Sequence, residues 1–171
     1  FAKKVLAGGP NTLAWLTGML GVGAVMGSFF FTQSIHAMTL KKHLIRDVII
    51  WGAALIVLGL SKNILISFTA MFVIGFFMMN LFATMNNSIQ QSVDDRMRGR
   101  VMGLYTMTFL GTMPFGGLIM GNLADRFSAP IVVAAAGILT FMMGSLLFLR
   151  NLKQLKESTL PPADSLPDQV T

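Results

Sequence analysis

Charge is nearly absent from five long apolar runs, roughly 11–35, 44–61, 64–91, 99–121 and 128–150, and is concentrated between and beyond them. A bilayer's hydrocarbon core is ~30 Å thick and takes ~20 helical residues to cross. No run carries Lys, Arg, Asp or Glu in its central portion. Helices of a soluble domain keep one polar face, whereas these are apolar nearly all round. The pattern predicts an all-α polytopic membrane protein with five transmembrane helices, and a lipid bilayer as its surroundings.

Composition narrows the function classes. Apolar residues make up 54% of the chain and charged residues 12%, about half the charged share of a soluble domain. The 17 glycines and 14 methionines suit close helix packing and adaptable apolar surfaces. The net charge of +6 reads as topological, because no stretch interleaves aromatic and basic residues as single-strand binders do. No nucleic-acid partner is expected. With no cysteine there is no disulfide or thiolate metal site. His36 and His43 stand seven residues apart, too far along one helix to share a zinc ion, with Asp47 as the nearest carboxylate. No metal, no cofactor and no enzymatic activity are expected, since a nucleophile with its base is lacking in the spans.

The chain divides into a spanning region, 1–150, and a tail, 151–171. The segment Phe1–Pro10 has a basic pair, Lys3 and Lys4, but no short apolar core ending in a cleavage site, so it is not a signal peptide. An odd number of spans starting in a loop implies a piece of a longer protein. The tail Asn151–Thr171 holds three prolines and scattered charge and reads as disordered. One set of connections carries nine basic residues: Lys41, Lys42, Arg46, Arg96, Arg98, Arg100, Arg150, Lys153 and Lys156. The other carries four: Lys3, Lys4, Lys62 and Arg126. That imbalance puts the first set, and the C-terminus, in the cytoplasm.

Three features inside this frame point toward function. Asn80, Thr84, Asn87 and Gln91 follow spacings of four, three and four, which keeps them within an arc of about 60° at ~100° per residue. Polar residues in lipid need an explanation: here either a water-filled substrate pathway opening to the cytoplasm, or hydrogen bonds between helices worth ~0.6 kcal/mol each. The fourth run carries a small-residue stripe, Gly103, Gly111, Gly117 and Gly121, with Pro114 removing one helical hydrogen bond to make a hinge. Gly23 and Gly27 form a second close-packing seam in the first run. The densest charge, Asp94, Asp95, Arg96, Arg98 and Arg100, reads as a cytoplasmic turn before a helix starting at Gly99, with Arg46 and Asp47 as candidate ion-pair partners.

The stretch NNSIQQSVDDRMRGRVMGLYTMTFLGTMPFGGLIMGNLADR, Asn86–Arg126, resembles the major facilitator superfamily, in particular the efflux branch that includes the enterobactin and macrolide exporters. There a polar helix end leads through an acidic-then-RGR loop into a helix with a Gly-x-x-Pro-x-Gly segment, matched here by Asp94–Arg100 and Gly111–Gly117. The resemblance implies a twelve-helix fold in two halves, with these spans as helices eight to twelve and the N-terminal half of the same protein missing. Placement as helices two to six would put the superfamily's Gly-x-x-x-Asp-Arg-x-Gly-Arg loop after the first span, where HAMTLKKHLIRD stands. The antiporter motif Gly-Pro-x-x-Gly-Gly is altered, with Met113 before Pro114, and Gly121–Arg126 resembles half of the loop motif on the opposite side of the membrane.

The resemblance implies a secondary transporter in the bacterial inner membrane, exporting a small amphipathic molecule, drug or siderophore, by alternating access. It also implies a coupling proton, whose carrier is expected in the missing half, since the apolar runs show no central carboxylate. The alternative is a membrane scaffold or subunit without transport, with packing seams but no polar pathway.

Overall fold

In a computed structural model of the protein, the backbone is described over residues 10–33 and 40–158, and side chains over 11–29 and 42–150. Five helices make up these residues: α1 Pro10–Gln33, α2 Leu40–Leu60, α3 Ile64–Ser92, α4 Asp95–Phe127 and α5 Ala129–Ser158. Four are long and apolar enough to cross a membrane, over Asn11–Phe29, Lys42–Leu60, Ile64–Ser92 and Ala129–Arg150. The fourth run does not reach that standard, so the expected five spans reduce to four on this ground. Its helix opens with Asp95, Arg96, Arg98 and Arg100, and Gly, Thr and Pro then dilute its apolar residues.

The connections are short because the chain supplies caps. Between α2 and α3, the Asn63 side chain accepts from the Leu65 N–H at 2.9 Å, and Ser61 Oγ accepts from the Asn63 N–H at 3.2 Å, satisfying donors a helix start leaves free. Buried Ser67 donates its hydroxyl back to the Asn63 carbonyl at 3.0 Å. Between α3 and α4 only Val93 and Asp94 intervene; the Asp94 carbonyl accepts from Met97 and Arg98 at 2.9 and 3.0 Å. The charged segment is therefore the first turns of α4 rather than a turn ahead of Gly99. Asp95 sits where a helix dipole favours an anion. A single residue, Ser128, links α4 to α5 with φ 75° and ψ 142°. Helix α5 runs past the expected end at Arg150, so 151–158 are helical rather than part of a disordered tail. The segment NLKQLKES contains good helix formers, and no proline comes before Pro161. The rest of the tail, 159–171, lies outside the described residues, as do Lys3, Lys4 and His36.

Two glycine seams build the bundle. A Cβ on Gly23 would strike the Phe72 carbonyl, and one on Gly27 the Phe76 carbonyl; from the other side, a Cβ on Gly75 would strike the Leu20 carbonyl. The rising numbers make α1 and α3 parallel. A Cβ added to Gly52 would come within 2.7 Å of the Phe141 nitrogen, one on Gly137 within 2.7 Å of the Ile56 nitrogen and one on Gly59 within 2.7 Å of the Ala134 nitrogen, so α2 and α5 are antiparallel. Backbone-to-backbone approach of this kind gains the dispersion that drives helix association in lipid. A core of Ala54, Leu58, Ala70 and Ile74 then joins the two pairs, with Leu20 and Val133 packed against it. The outer faces expose Trp15, Phe29, Leu139 and Leu146, an apolar surface suited to lipid and unsuited to water.

Candidate functional site

The polar face of α3 is divided by depth. Asn80 and Thr84 are buried, at 7% and 3% exposure. Asn87 is half-buried, and its Nδ2 finds no hydrogen-bond partner among the described residues. Gln91 is exposed. Ser88 donates its hydroxyl to the Thr84 carbonyl at 2.7 Å, and the Gln90 amide donates to Asn86 Oδ1. The structure thus brings Asn80 and Thr84 into the helix packing, leaves Asn87 with an unmet donor and sets Gln91 at the surface. An unmet buried donor costs about 1–3 kcal/mol, so Asn87 is poised for a partner.

The facing direction of this line follows from a groove of about 440 Å³ between α2 and α3, lined by Ile50, Ala53 and Val57 on one side and Ile66, Ala70 and Val73 on the other. At ~100° per residue, Asn80, Thr84, Asn87 and Gln91 stay within about 60° of the direction of Ile66, Ala70 and Val73. The polar line continues the side of α3 that faces α2. The groove itself is walled almost wholly by apolar atoms.

Across this seam lies a residue that the sequence alone places among loop charges. Asp47 falls inside the Lys42–Leu60 span and is 2% exposed. Its Oδ1 accepts from Arg46 Nε at 3.1 Å and Arg46 Nη2 at 2.9 Å. Asp47 is thus a buried carboxylate near the start of its apolar stretch, beside the boundary charges Lys42 and Arg46. Only the packing of α2 reveals that it points inward. The ion pairs are local: Arg46 holds its neighbour Asp47, and Arg98 holds Asp95 at 2.7 Å. Arg46 and Asp47 therefore do not serve the Asp94–Arg100 cluster. One turn on from Asp47, the buried Trp51 Nε1 also lacks a hydrogen-bond partner among the described residues.

Helix α4 differs from its neighbours. None of its residues is buried. Around Gly103, Gly111, Gly117 and Gly121 an added Cβ would meet nothing within 4 Å. Pro114 sits inside a continuous helix. Phe109 meets Phe82 of α3 edge-on at 4.8 Å, and Tyr105 stacks on Phe109 at 6.3 Å. Tyr105, Thr108, Phe109, Thr112 and Met113 line a groove of about 360 Å³. Thr108 and Thr112 donate to the carbonyls of Leu104 and Thr108, so their hydroxyls are satisfied within the helix. Among the described residues no group of His, Asp or Glu is arranged to hold a metal ion.

The seams Gly52–Gly59 and Gly137–Gly144 escaped the sequence reading. Their seven-residue spacing was the available signal, since two helical turns return a residue to the same face.

Apolar helices with exposed apolar outer faces, closed by glycine seams, define a polytopic membrane protein. The whole chain, residues 1–171, matches the transmembrane secretion effector family, and it belongs to that family of major facilitator superfamily efflux transporters. It is 22% identical over 153 residues to the multidrug efflux pump Tap of Mycolicibacterium fortuitum, an alignment covering 89% of this chain and 37% of that protein. The chain thus spans little more than a third of that relative's length. No solved structure matches it.

Proposed function

We propose that these helices form part of a secondary transporter that exports a small amphipathic molecule by alternating access. They correspond to helices eight to twelve of a twelve-helix fold, with α4 as the fifth span and the C-terminus in the cytoplasm of a bacterial cell. The observation that carries the reading is the contrast between α4 and the rest. Four helices are locked by backbone-close glycines, while α4 presents open glycines, Pro114 and the Tyr105–Thr112 groove to space that the remainder of a longer protein would fill. The length of the multidrug efflux pump relative supports such a remainder. Secondary transporters place substrate between two halves that rock against each other. A rigid four-helix unit with a loosely held, kinked fifth helix suits that motion. The Asn87–Gln91 end of the polar line supplies hydrogen-bonding groups along the pathway wall, with Asn87 Nδ2 lacking a partner among the described residues.

The test uses the full-length protein in liposomes, with ethidium as an amphipathic probe. Replacing Asn87 and Gln91 by Leu leaves insertion unchanged and lowers ethidium flux by about tenfold or more, the loss expected when polar contacts to substrate go. Unchanged flux with normal insertion assigns these residues to packing and removes the pathway reading.

A further inference from the structure

Asp47 places a carboxylate inside an otherwise apolar bundle. It lies on the α2 direction of Ala54 and Leu58, the one that meets Ala70 and Ile74 of α3. Ile50, Ala53, Ala54 and Val57 of α2 and Ile66, Thr69, Ala70 and Val73 of α3 line the groove between these helices. Asp47 of α2 and Asn80 and Thr84 of α3 are each buried, exposed 2%, 7% and 3%.

Resting on the transport reading, we propose that Asp47 is the proton-carrying residue of this part of the protein, exchanging its contact with Arg46 for a proton during the transport cycle. Three observations meet at this residue. First, a carboxylate this deeply buried in a spanning helix is tolerable only with a partner, and such residues mark ion and proton routes. Second, the partner is a single side chain, bound through one carboxylate oxygen, and that Arg46 side chain is itself 55% exposed. It reaches in from the boundary and is free to withdraw without unpacking the bundle. Third, the surroundings offer no second cation at depth. Among the described α2 side chains the other charged or titratable ones are His43 and Lys42, toward the helix end. Helices α1 and α3 carry no titratable side chain, and on α5 the described one is the exposed Arg150, beyond the Gly144 that packs near Val48 and Ile49. The charges of α4, from Asp95 to Arg100, are exposed.

The step balances simply. As Arg46 withdraws, the Asp47 carboxylate takes one proton from water and becomes a neutral acid; on return of Arg46 the O–H bond breaks and the proton leaves to water. Neutral Asp47 then donates as well as accepts a hydrogen bond.

The full-length protein in phosphatidylglycerol-containing liposomes tests this with two readouts. In Asp47→Asn, ethidium accumulation driven by a pH gradient falls at least about tenfold, while ethidium exchange without a gradient continues. Asp47→Glu, which keeps an ionisable group, retains driven accumulation. Infrared difference spectra of the wild type across a pH titration show a protonated carboxyl band that Asp47→Asn lacks and Asp47→Glu displaces. Equal driven accumulation in wild type and Asp47→Asn overturns the proposal, and so does equal loss of exchange and driven transport. If the wild type moves no ethidium, the substrate reading fails separately and the infrared band decides Asp47: its absence in the wild type ends the proposal.

Discussion

Single residues decide this structure where backbones touch. A Cβ added to Gly137 would come within 2.7 Å of the Ile56 nitrogen and 2.9 Å of the Gly52 carbonyl. Neither is a flexible side chain, so a larger residue must push α2 and α5 apart. Gly137→Val in the full-length protein therefore lowers stability by about 1–3 kcal/mol, as overpacking does, read as a drop in thermal midpoint in detergent. Leu139→Ala should show no such drop, because its side chain stands on the exposed apolar face. An equal loss for both would mean that the seam is not what holds these helices. Asp47 is the opposite kind of residue, polar where apolar packing surrounds it. Its inward direction was not legible from the sequence, because it stands where the apolar run begins and a solvated end is the ordinary reading. Burial depends on which face of α2 is covered, and that is set by glycines 52 and 59 meeting α5.

At the scale of elements, the apolar runs specified the helices well because each is long, uninterrupted and bounded by polar residues. The Asn63 cap and the Ser61 hydroxyl explain the three-residue link between α2 and α3. The start of α4 was harder to read. Asp94–Arg100 carries charge in the density of a loop, yet Asp95 and Arg98 pair three residues apart and the chain turns helical at once. The α4–α5 link was also hidden, since nothing in Phe127-Ser128-Ala129 announces a backbone at φ 75°. A serine in that region carries strain of about 1–3 kcal/mol. Ser128→Gly therefore raises the thermal midpoint and Ser128→Val lowers it, with transport assays on both reporting whether this link limits the motion of α4. If Ser128→Val is as stable as the wild type, the link does not hold this conformation.

Across the whole molecule, the helices sort into a locked unit of α1, α2, α3 and α5 and a loosely attached α4. The locked unit buries Ala54, Leu58, Ala70 and Ile74 at its centre, whereas α4 buries nothing. The four seamed helices carry the buried Asp47, Asn80 and Thr84, whereas α4 carries Pro114 within a continuous helix. The sequence resemblance between Asn86 and Arg126 pointed to the family, because that stretch holds both the end of the polar line and the glycine-proline segment. It did not reveal which glycines close onto a neighbour, since Gly111 and Gly137 look alike until their surroundings are known.

The central claim, that the Asn87–Gln91 end of α3 and the Thr108–Thr112 face of α4 border a water-filled pathway, is tested most directly by labelling. Single cysteines at Asn87, Gln91, Thr108, Thr112 and Leu139 are placed in the full-length protein, on a background free of other cysteines, in intact membranes. The first four should react with a water-soluble maleimide and lose that reactivity when ethidium is added, while Leu139, on the outer apolar face, reacts only with a lipid-soluble reagent. If the positions at 87, 108 and 112 behave like Leu139, the pathway does not run there and the account is wrong.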